Sequence, residues 1–333
     1  MKSGPGQKNR DIAHYLLIAL PILLGFCLAD SSVLPGFQTE QPQPQNVIRS
    51  ESDLVVLPVT ITDHKGRFVP GLKQRDFHIY ENGQPQTISE FSHGDVPVTT
   101  GLVIDSSGSM HLNRPEVAAA AKDFLSSSNP RDQVFVVNFN ERVSLGLPEN
   151  VPFTDNVAQL EAAVFRGPAT GMTALYDAVG VALKHLNDSL ENNKRALIII
   201  SDGGDNASHE DFRQVLNTAL HENAIIYAIG ILDAQEADVS PRILRKLAKD
   251  TGGRAYFPTS AAVLPDICHE IATDLREQYT IAYIPSDRRE DGTYRTIRVV
   301  VRAPGKGSLV VRTRKGYFAP SSAAEIHESA PAQ

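Results

Sequence analysis

Cysteine is scarce in this chain of 333 residues, which carries two, Cys27 and Cys268. Cys27 lies in an apolar N-terminal run, so removal of that run leaves one thiol and no internal disulfide. Stability then has to come from packed cores, helped by any bound metal. Cys268 stands among Ile267, Ile271 and Leu275 at helical spacing and reads as a buried, inert thiol, with no histidine-rich setting around it. Positive charge is also in deficit. The formal net charge of −7 excludes a general nucleic-acid binder, because phosphates demand a basic face. Arg312, Arg314 and Lys315 form a small basic cluster and read as solvent-facing residues of a strand. After the N-terminal run, no apolar stretch approaches the roughly 20 residues that a bilayer span needs. There is no G-x-S-x-G nucleophile elbow and no glycine-rich phosphate loop with lysine.

The N-terminus carries an export pattern. Lys2, Lys8 and Arg10 precede the apolar run at 15–28, and Cys27-Leu28-Ala29 offers a small-x-small cleavage site ahead of Asp30. Residues 1–29 are read as a signal peptide or an N-terminal anchor. Cleavage is favoured, since the run is short for a span and Pro21 interrupts it. The protein is therefore expected to be exported: periplasmic, cell-envelope or secreted, meeting a membrane only through an uncleaved N-terminus. Residues 30–50, with Gln41-Pro42-Gln43-Pro44-Gln45, read as a disordered linker, and 321–333 as a disordered tail.

Between these ends, β patterns flank a block of alternating strands and helices. Residues 51–95 form an N-terminal β module, with strand patterns at 54–62 and 77–80 and an Asn82-Gly83 hairpin signal before 86–88. From residue 96 the pattern changes. Apolar strands at 99–104, 134–139, 196–200 and 225–229 alternate with helical stretches at 114–127, 173–190, 211–221 and 241–250. A short strand at 254–257 and a last helix at 261–276 follow. This predicts an α/β domain over 96–277, with a doubly wound, mainly parallel sheet covered on both faces. Strand patterns return at 279–284, 294–301 and 308–314, giving a C-terminal β segment over 278–320. Each flanking piece is small for independent stability. The two are expected to pair into a small β-sandwich, with the α/β domain inserted between them.

Three segments converge on the carboxyl ends of the predicted parallel strands, where ligands gather in such sheets. Asp105-Ser106-Ser107-Gly108-Ser109 follows the first strand, Gly171-Met172-Thr173 opens a helix, and Ser201-Asp202-Gly203 follows the strand at 196–200. Together they offer two carboxylates and three hydroxyls. Such oxygens suit Mg²⁺, Mn²⁺ or Ca²⁺ rather than Zn²⁺ or copper. Mg²⁺ takes about six oxygens and keeps several waters, so one position is left for a partner's carboxylate. Gly108, Gly171 and Gly203 are read as allowing tight turns beside the ion. Asp205 and Asn206 could support the ligands from behind or form a neighbouring Ca²⁺ site, with a solvated loop as the default. His209 sits near them, Glu210 and Asp211 read as the first turn of a helix, and Arg166 and His111 lie on rim loops that could meet a partner, with surface residues of no role as the default.

In order and separation, D-S-S-G-S, G-M-T and S-D-G resemble the von Willebrand factor type A domain family. That resemblance implies a metal-ion-dependent adhesion site, D-x-S-x-S with a threonine and an aspartate. Residue by residue these are Asp105, Ser107, Ser109, Thr173 and Asp202. The flanks, from Val69-Pro70-Gly71-Leu72 to Asp76-Phe77-His78-Ile79-Tyr80-Glu81-Asn82-Gly83 and again at Arg314-Lys315-Gly316-Tyr317-Phe318, resemble a bacterial exported family with this domain. The expected function is a non-enzymatic, metal-dependent protein-binding module, with Mg²⁺ as the expected ion and Mn²⁺ or Ca²⁺ as substitutes. Its partner would be a protein offering an acidic residue. The alternatives are a structural scaffold of the envelope and a metal-dependent hydrolase.

Overall fold

The computed structural model describes residues 54–189, 194–201, 204–231 and 241–321. The expected leader and linker, the tail from residue 322 on, and the pair Asp202-Gly203 lie outside these residues, while Ser321, expected to begin the tail, forms an antiparallel bridge with Asp291. Among the described residues no helix is long and apolar enough to cross a membrane.

The chain opens with β1 (Val55–Asp63), whose Val55, Leu57, Val59 and Ile61 point inward at period two. Strand β2 (Phe77–Glu81) buries Phe77, Ile79 and Glu81 by the same alternation. Asn82 and Gly83, both at positive φ (47° and 82°), turn it into β3 (Gln84–Gln86), as the Asn-Gly signal predicts. Strand β4 (Ile88–His93) completes this part. The α/β block begins with β5 (Val98–Asp105), buried along its whole length. It continues through α1 (Arg114–Ser127), β6 (Gln133–Phe139), β7 (Val143–Leu145), α2 (Val157–Val164), α3 (Leu175–Asn187) and β8 (Lys194–Ser201). Next come α4 (Phe212–His221), β9 (Ile225–Gly230), α5 (Pro241–Thr251), β10 (Ala255–Tyr256) and α6 (Leu264–Arg276). The chain closes with β11 (Tyr279–Tyr283), β12 (Tyr294–Val301), β13 (Leu309–Arg312) and β14 (Gly316–Phe318).

The central sheet has the order β10-β9-β8-β5-β6-β7 and is parallel except for β7. Helix α1 packs with α2 and α6, while α3 packs with α4 and α4 with α5. The two sets cover the two faces, as the doubly wound reading predicts. Cys268 on α6 is 1% exposed in this core, and burial pushes its thiol up to about 12, so it is inert as expected. Elements α2, β7 and β14 have no counterpart in the sequence reading, and β4 only at Ile88. Helix α2 has eight residues, held at its start by Asn156 Oδ1, which accepts from the Gln159 N–H at 3.1 Å. A helix that short falls below the window in which a 3.6-residue period can be read.

Strands from before and after the α/β block interleave in two antiparallel sheets, β13-β1-β11-β4 and β14-β12-β2-β3. Their shared core takes Val55, Leu57, Val59, Ile61, Leu72, Phe77 and Ile79 from one side of the insertion. From the other it takes Tyr279, Ile281, Tyr283, Ile297, Val299 and Tyr317. A buried carboxylate ties the layers: Glu81 on β2 accepts from Tyr283 Oη on β11 at 2.7 Å and from Tyr317 Oη on β14 at 3.0 Å. Arg295 Nη1 on β12 donates to it at 3.4 Å. Burial and the Glu81 charge push both phenols well above their ordinary range, so they remain donors.

The sandwich docks against the amino-terminal edge of the central sheet. Lys315 Nζ meets Asp250 Oδ1 in the last turn of α5 at 2.6 Å, and His221 at the end of α4 stacks on Phe318 with ring centroids 4.5 Å apart. Asp274 on α6 accepts from Thr60 Oγ1 at 2.8 Å, from Tyr227 Oη at 2.9 Å, and from Arg312 Nη2. Arg314 donates to the Val56 carbonyl at 3.1 Å and to Asn223 Oδ1, and it is 6% exposed. The expectation that Arg312 and Arg314 face solvent is thus incorrect. They turn toward the α/β block, where Asp274 neutralises Arg312 and Asn223 accepts a hydrogen bond from Arg314. Burial pushes the Arg314 guanidinium down to about 10.

Ending the chain at Glu277 would remove the six C-terminal core residues and the partner strands of both sheets. At roughly 1.5–3 kcal/mol per buried large apolar side chain, the loss rivals the about 5–15 kcal/mol that holds a whole domain folded. Residues 51–95 should then be cut rapidly in limited proteolysis, whereas in the full chain they should resist. Survival of that segment would show that the two β pieces fold independently. A second expectation concerns Lys194, whose ammonium burial pushes down to about 8 from an ordinary 10.5, with Asp274 and Asp132 opposing. Between these values the unfolded chain binds more protons than the folded one, so the lysine makes stability rise with pH in that window. Urea midpoints across pH 8–10 should rise in the unmutated protein and rise less in Lys194→Met.

Candidate functional site

Asp105 ends β5, which pairs with β6 on one side and β8 on the other. The winding direction reverses across this strand, which is where sheets of this kind form a ligand crevice at the carboxyl edge. Asp105 is fully buried there. Its Oδ1 accepts from the Ser107 N–H at 2.8 Å and its Oδ2 from Ser201 Oγ at 2.6 Å. Ser201 is the last residue of β8, so Asp202 follows directly from the strand beside Asp105, although Asp202 itself lies outside the described residues. Ser107 is 3% exposed, and Ser109 opens a short 3-10 turn, Ser109–Asn113. The two hydroxyl oxygens sit 3.1 Å apart. Buried Ser106 donates its N–H to the Phe139 carbonyl at 2.6 Å, while its Oγ has no hydrogen-bond partner among the described residues.

Thr173 is 5% exposed and stands two residues before α3. Its loop is stitched to the first one by Thr170 N–H donating to the Ser106 carbonyl at 3.0 Å. Thr173 is further held by a reciprocal bracket. Its N–H donates to Asn206 Oδ1 at 2.8 Å, and its carbonyl accepts from the N–H groups of Asn206 and Ala207 at 3.0 and 3.2 Å. Asp205 Oδ1 accepts from the Tyr176 N–H at 3.3 Å and from Ser208 Oγ at 2.5 Å. Asp205 and Asn206 therefore brace the loop after β8 against the start of α3.

Other expectations change. Arg166 donates to the carbonyls of Gly146 and Leu147 at 3.2 and 2.9 Å, so its guanidinium is spent on the chain itself. Asp211 is the N-cap of α4, in a capping box with Gln214, and Glu210 and His209 precede the helix. The N–H groups of His209 and Glu210 both bind Asp177, whose burial opposes ionisation but whose donors hold the carboxyl below its usual range. Gly108 has ordinary helical dihedrals, φ −59° and ψ −36°, and a Cβ there would meet nothing. It is not required by the turn. Gly171, at φ 88°, is required.

Two contributors were not singled out from the sequence. Ser201 is the first residue of S-D-G, and nothing in the spacing says that its hydroxyl reaches Asp105. Glu141, after β6, accepts from the Met172 N–H at 3.1 Å and so holds the loop one residue before Thr173. No local signal marks it, because the contact joins segments 31 residues apart.

The site thus brings Asp105, Ser107, Ser109 and the Thr173 loop to one sheet edge, with oxygen donors alone. A family model described as von Willebrand factor type A domain matches residues 101–270, just over half of the chain. The chain belongs to the von Willebrand factor type A domain family. Domains of this family are generally interaction modules rather than enzymes, and they generally bind protein partners. Solved structures similar to this chain include a von Willebrand factor type A protein from Catenulispora acidiphila. It is 15% identical, with 75% of this chain and 74% of that chain covered and a TM-score of 0.49. The conserved hypothetical protein BatB from Bacteroides thetaiotaomicron is 15% identical over 53% of this chain and 98% of that one, with a TM-score of 0.41. Proximal thread matrix protein 1 from the mussel byssus is 18% identical over 58% and 50%, with a TM-score of 0.48. No curated protein matches the chain.

Gly171→Ala tests the loop geometry. The left-handed backbone costs an L-residue about 1–2 kcal/mol, and the new Cβ would lie 1.6 Å from Glu141 Oε2, forcing that side chain off the Met172 N–H. Thermal or urea unfolding should show a loss of about that size. An unchanged midpoint would mean that the loop relaxes freely.

Proposed function

We propose that the carboxyl-edge crevice binds a divalent cation through Asp105, Ser107, Ser109, Thr173 and Asp202, and that the loaded site engages an acidic residue of a protein partner. The observation that carries this reading is the 3.1 Å separation of the Ser107 and Ser109 oxygens beside the buried Asp105 carboxylate. Neighbouring ligands of an octahedral Mg²⁺ at 2.0–2.1 Å lie about 2.9 Å apart, so this pair suits two adjacent positions. The donor set fits the same ion, being hydroxyl and carboxylate oxygen without nitrogen or sulfur. Mg²⁺ is the expected ion, with Mn²⁺ and Ca²⁺ compatible. The unpartnered Ser106 Oγ supports a site that holds ordered water as well.

In this reading the ion supplies a positive centre that a carboxylate can join. The chain's own residues orient the ligands: Ser201 Oγ and the Ser107 N–H fix the Asp105 carboxylate, and the Asn206 bracket fixes Thr173. The N-terminal pattern favours an exported protein of the cell envelope or beyond. A scaffold role draws support from the sandwich, whose polar docking against the sheet is extensive and far from the crevice. There the ion would only stiffen the loops.

Calorimetric titration of the full chain with Mg²⁺ and Mn²⁺ checks the site. Binding is expected in the unmutated protein, with a loss of at least ten-fold in Asp105→Ala. Equal affinity in both would reject the metal reading. Capture of envelope proteins that depends on Mg²⁺ and fails with chelator would favour binding over the scaffold role.

A further inference from the structure

Arg114 is the first residue of α1 and follows Ser109 after four residues, 110–113, which form one tight 3-10 turn over the fully buried Met110. Its side chain turns away from its own helix. Nη1 donates to the Gly167 carbonyl at 2.9 Å, and Nη2 donates to the Val164 carbonyl at 2.9 Å and the Arg166 carbonyl at 3.5 Å. Val164 is the last residue of α2, and Gly167 begins the loop that runs to Thr173. One planar group therefore grips the end of α2 and the root of the Thr173 loop, while its backbone terminates the turn that starts at Ser109.

The group is expensive to keep there. Arg114 is 9% exposed, its Nε is buried without a partner, and among the described residues no carboxylate lies within ion-pair distance. Burial accordingly pulls its pKa down. The negative ends of peptide dipoles at the close of α2 compensate part of the charge. Capping α2 does not by itself call for a buried cation, since a glycine or a bound water closes most helices. What a guanidinium adds is a rigid fork that reaches several carbonyls at fixed spacing, which neither lysine nor a neutral side chain reproduces.

We propose that Arg114 is a positioning residue for the metal site: it sets the Thr173 loop against the Ser109 turn, so that hydroxyls from the two loops meet at one ion. This rests on the metal-binding reading above. Among the described residues, the backbone link between the two loops is the Thr170 N–H to the Ser106 carbonyl. Releasing Gly167 frees the root of the loop and leaves Thr170, Met172 and Thr173 to hold it through Ser106, Glu141 and Asn206, so the hydroxyl of Thr173 is fixed less tightly against the Ser109 turn. Residues that orient metal ligands from behind typically govern affinity by about 10–100-fold.

The test uses the full chain, Mn²⁺ as the probe, and water-proton relaxation to read its Kd, with each variant held well below its own melting temperature. Arg114→Ala should raise the Kd about ten-fold, and Arg114→Lys, which keeps the charge and loses the fork, should fall between it and the unmutated chain. Asp274→Asn, at the opposite sheet edge, serves as the stability control and should lower Tm while leaving the Kd in place. If Arg114→Ala does not fold, Arg114→Lys alone decides. Unchanged Kd in the folded Arg114 variants overturns the proposal. So does an equal rise in Asp274→Asn, which would mean general loosening. Failure of the unmutated chain to bind Mn²⁺ removes the metal reading itself, an outcome distinguishable because no variant could then differ.

Discussion

Because β5 pairs with β6 on one side and β8 on the other, the chain has to wind in opposite directions on its two sides. The two strands therefore finish side by side at the point of reversal, and the polar groups at their ends, Asp105 and Ser201, are buried against each other. Asp105 takes its position from this constraint. A carboxylate fully buried at the end of an apolar strand would be costly to keep without donors, and the Ser107 N–H and Ser201 hydroxyl supply them at the place where the two strands finish side by side. The Thr173 loop then closes over the same edge through Ser106, Glu141 and Asn206.

The sandwich depends on the same sheet from the other edge. Helix carboxyl ends and strand starts gather there, exposing carbonyls and the polar side chains Asn223, Asp250 and Asp274. Arg312, Arg314 and Lys315 complement them. The result is a division of labour along the strand direction. One edge is covered by a β layer through the Arg312–Asp274 pair, the half-exposed Lys315–Asp250 pair and the hydrogen bonds of Arg314, and the other carries the loops of the proposed site. A partner could approach the crevice without disturbing the core that holds the two β segments together.

Interleaving of the β segments has a further consequence. Strands β1 and β11 are neighbours in one sheet, and β2 and β12 in the other, though the whole α/β block separates them in sequence. Each piece supplies about half of a shared core, and Glu81 binds groups from three other strands of both sheets. The insertion is therefore mechanically continuous with its frame, because the first and last elements of the α/β block lead directly into strands that must pair.

Much of this was legible in the sequence where the deciding physics is local. Apolar runs and helical periods located most strands and helices, Asn82-Gly83 marked its hairpin, and D-S-S-G-S, G-M-T and S-D-G marked the sheet edge. Helix α2 was not legible because it is too short to display a period. The solvent-facing reading of Arg312 and Arg314 failed because alternation tells which residues share a face, not what covers that face. The same holds for Ser201, Glu141 and Arg114, whose side chains act on segments tens of residues away. By itself the sequence determined the elements, the residue types at the sheet edge and the hard-oxygen chemistry they can offer. Only the tertiary structure decided which strands became neighbours, which charges were buried and how the loops are braced, since those depend on contacts between segments that no local pattern encodes.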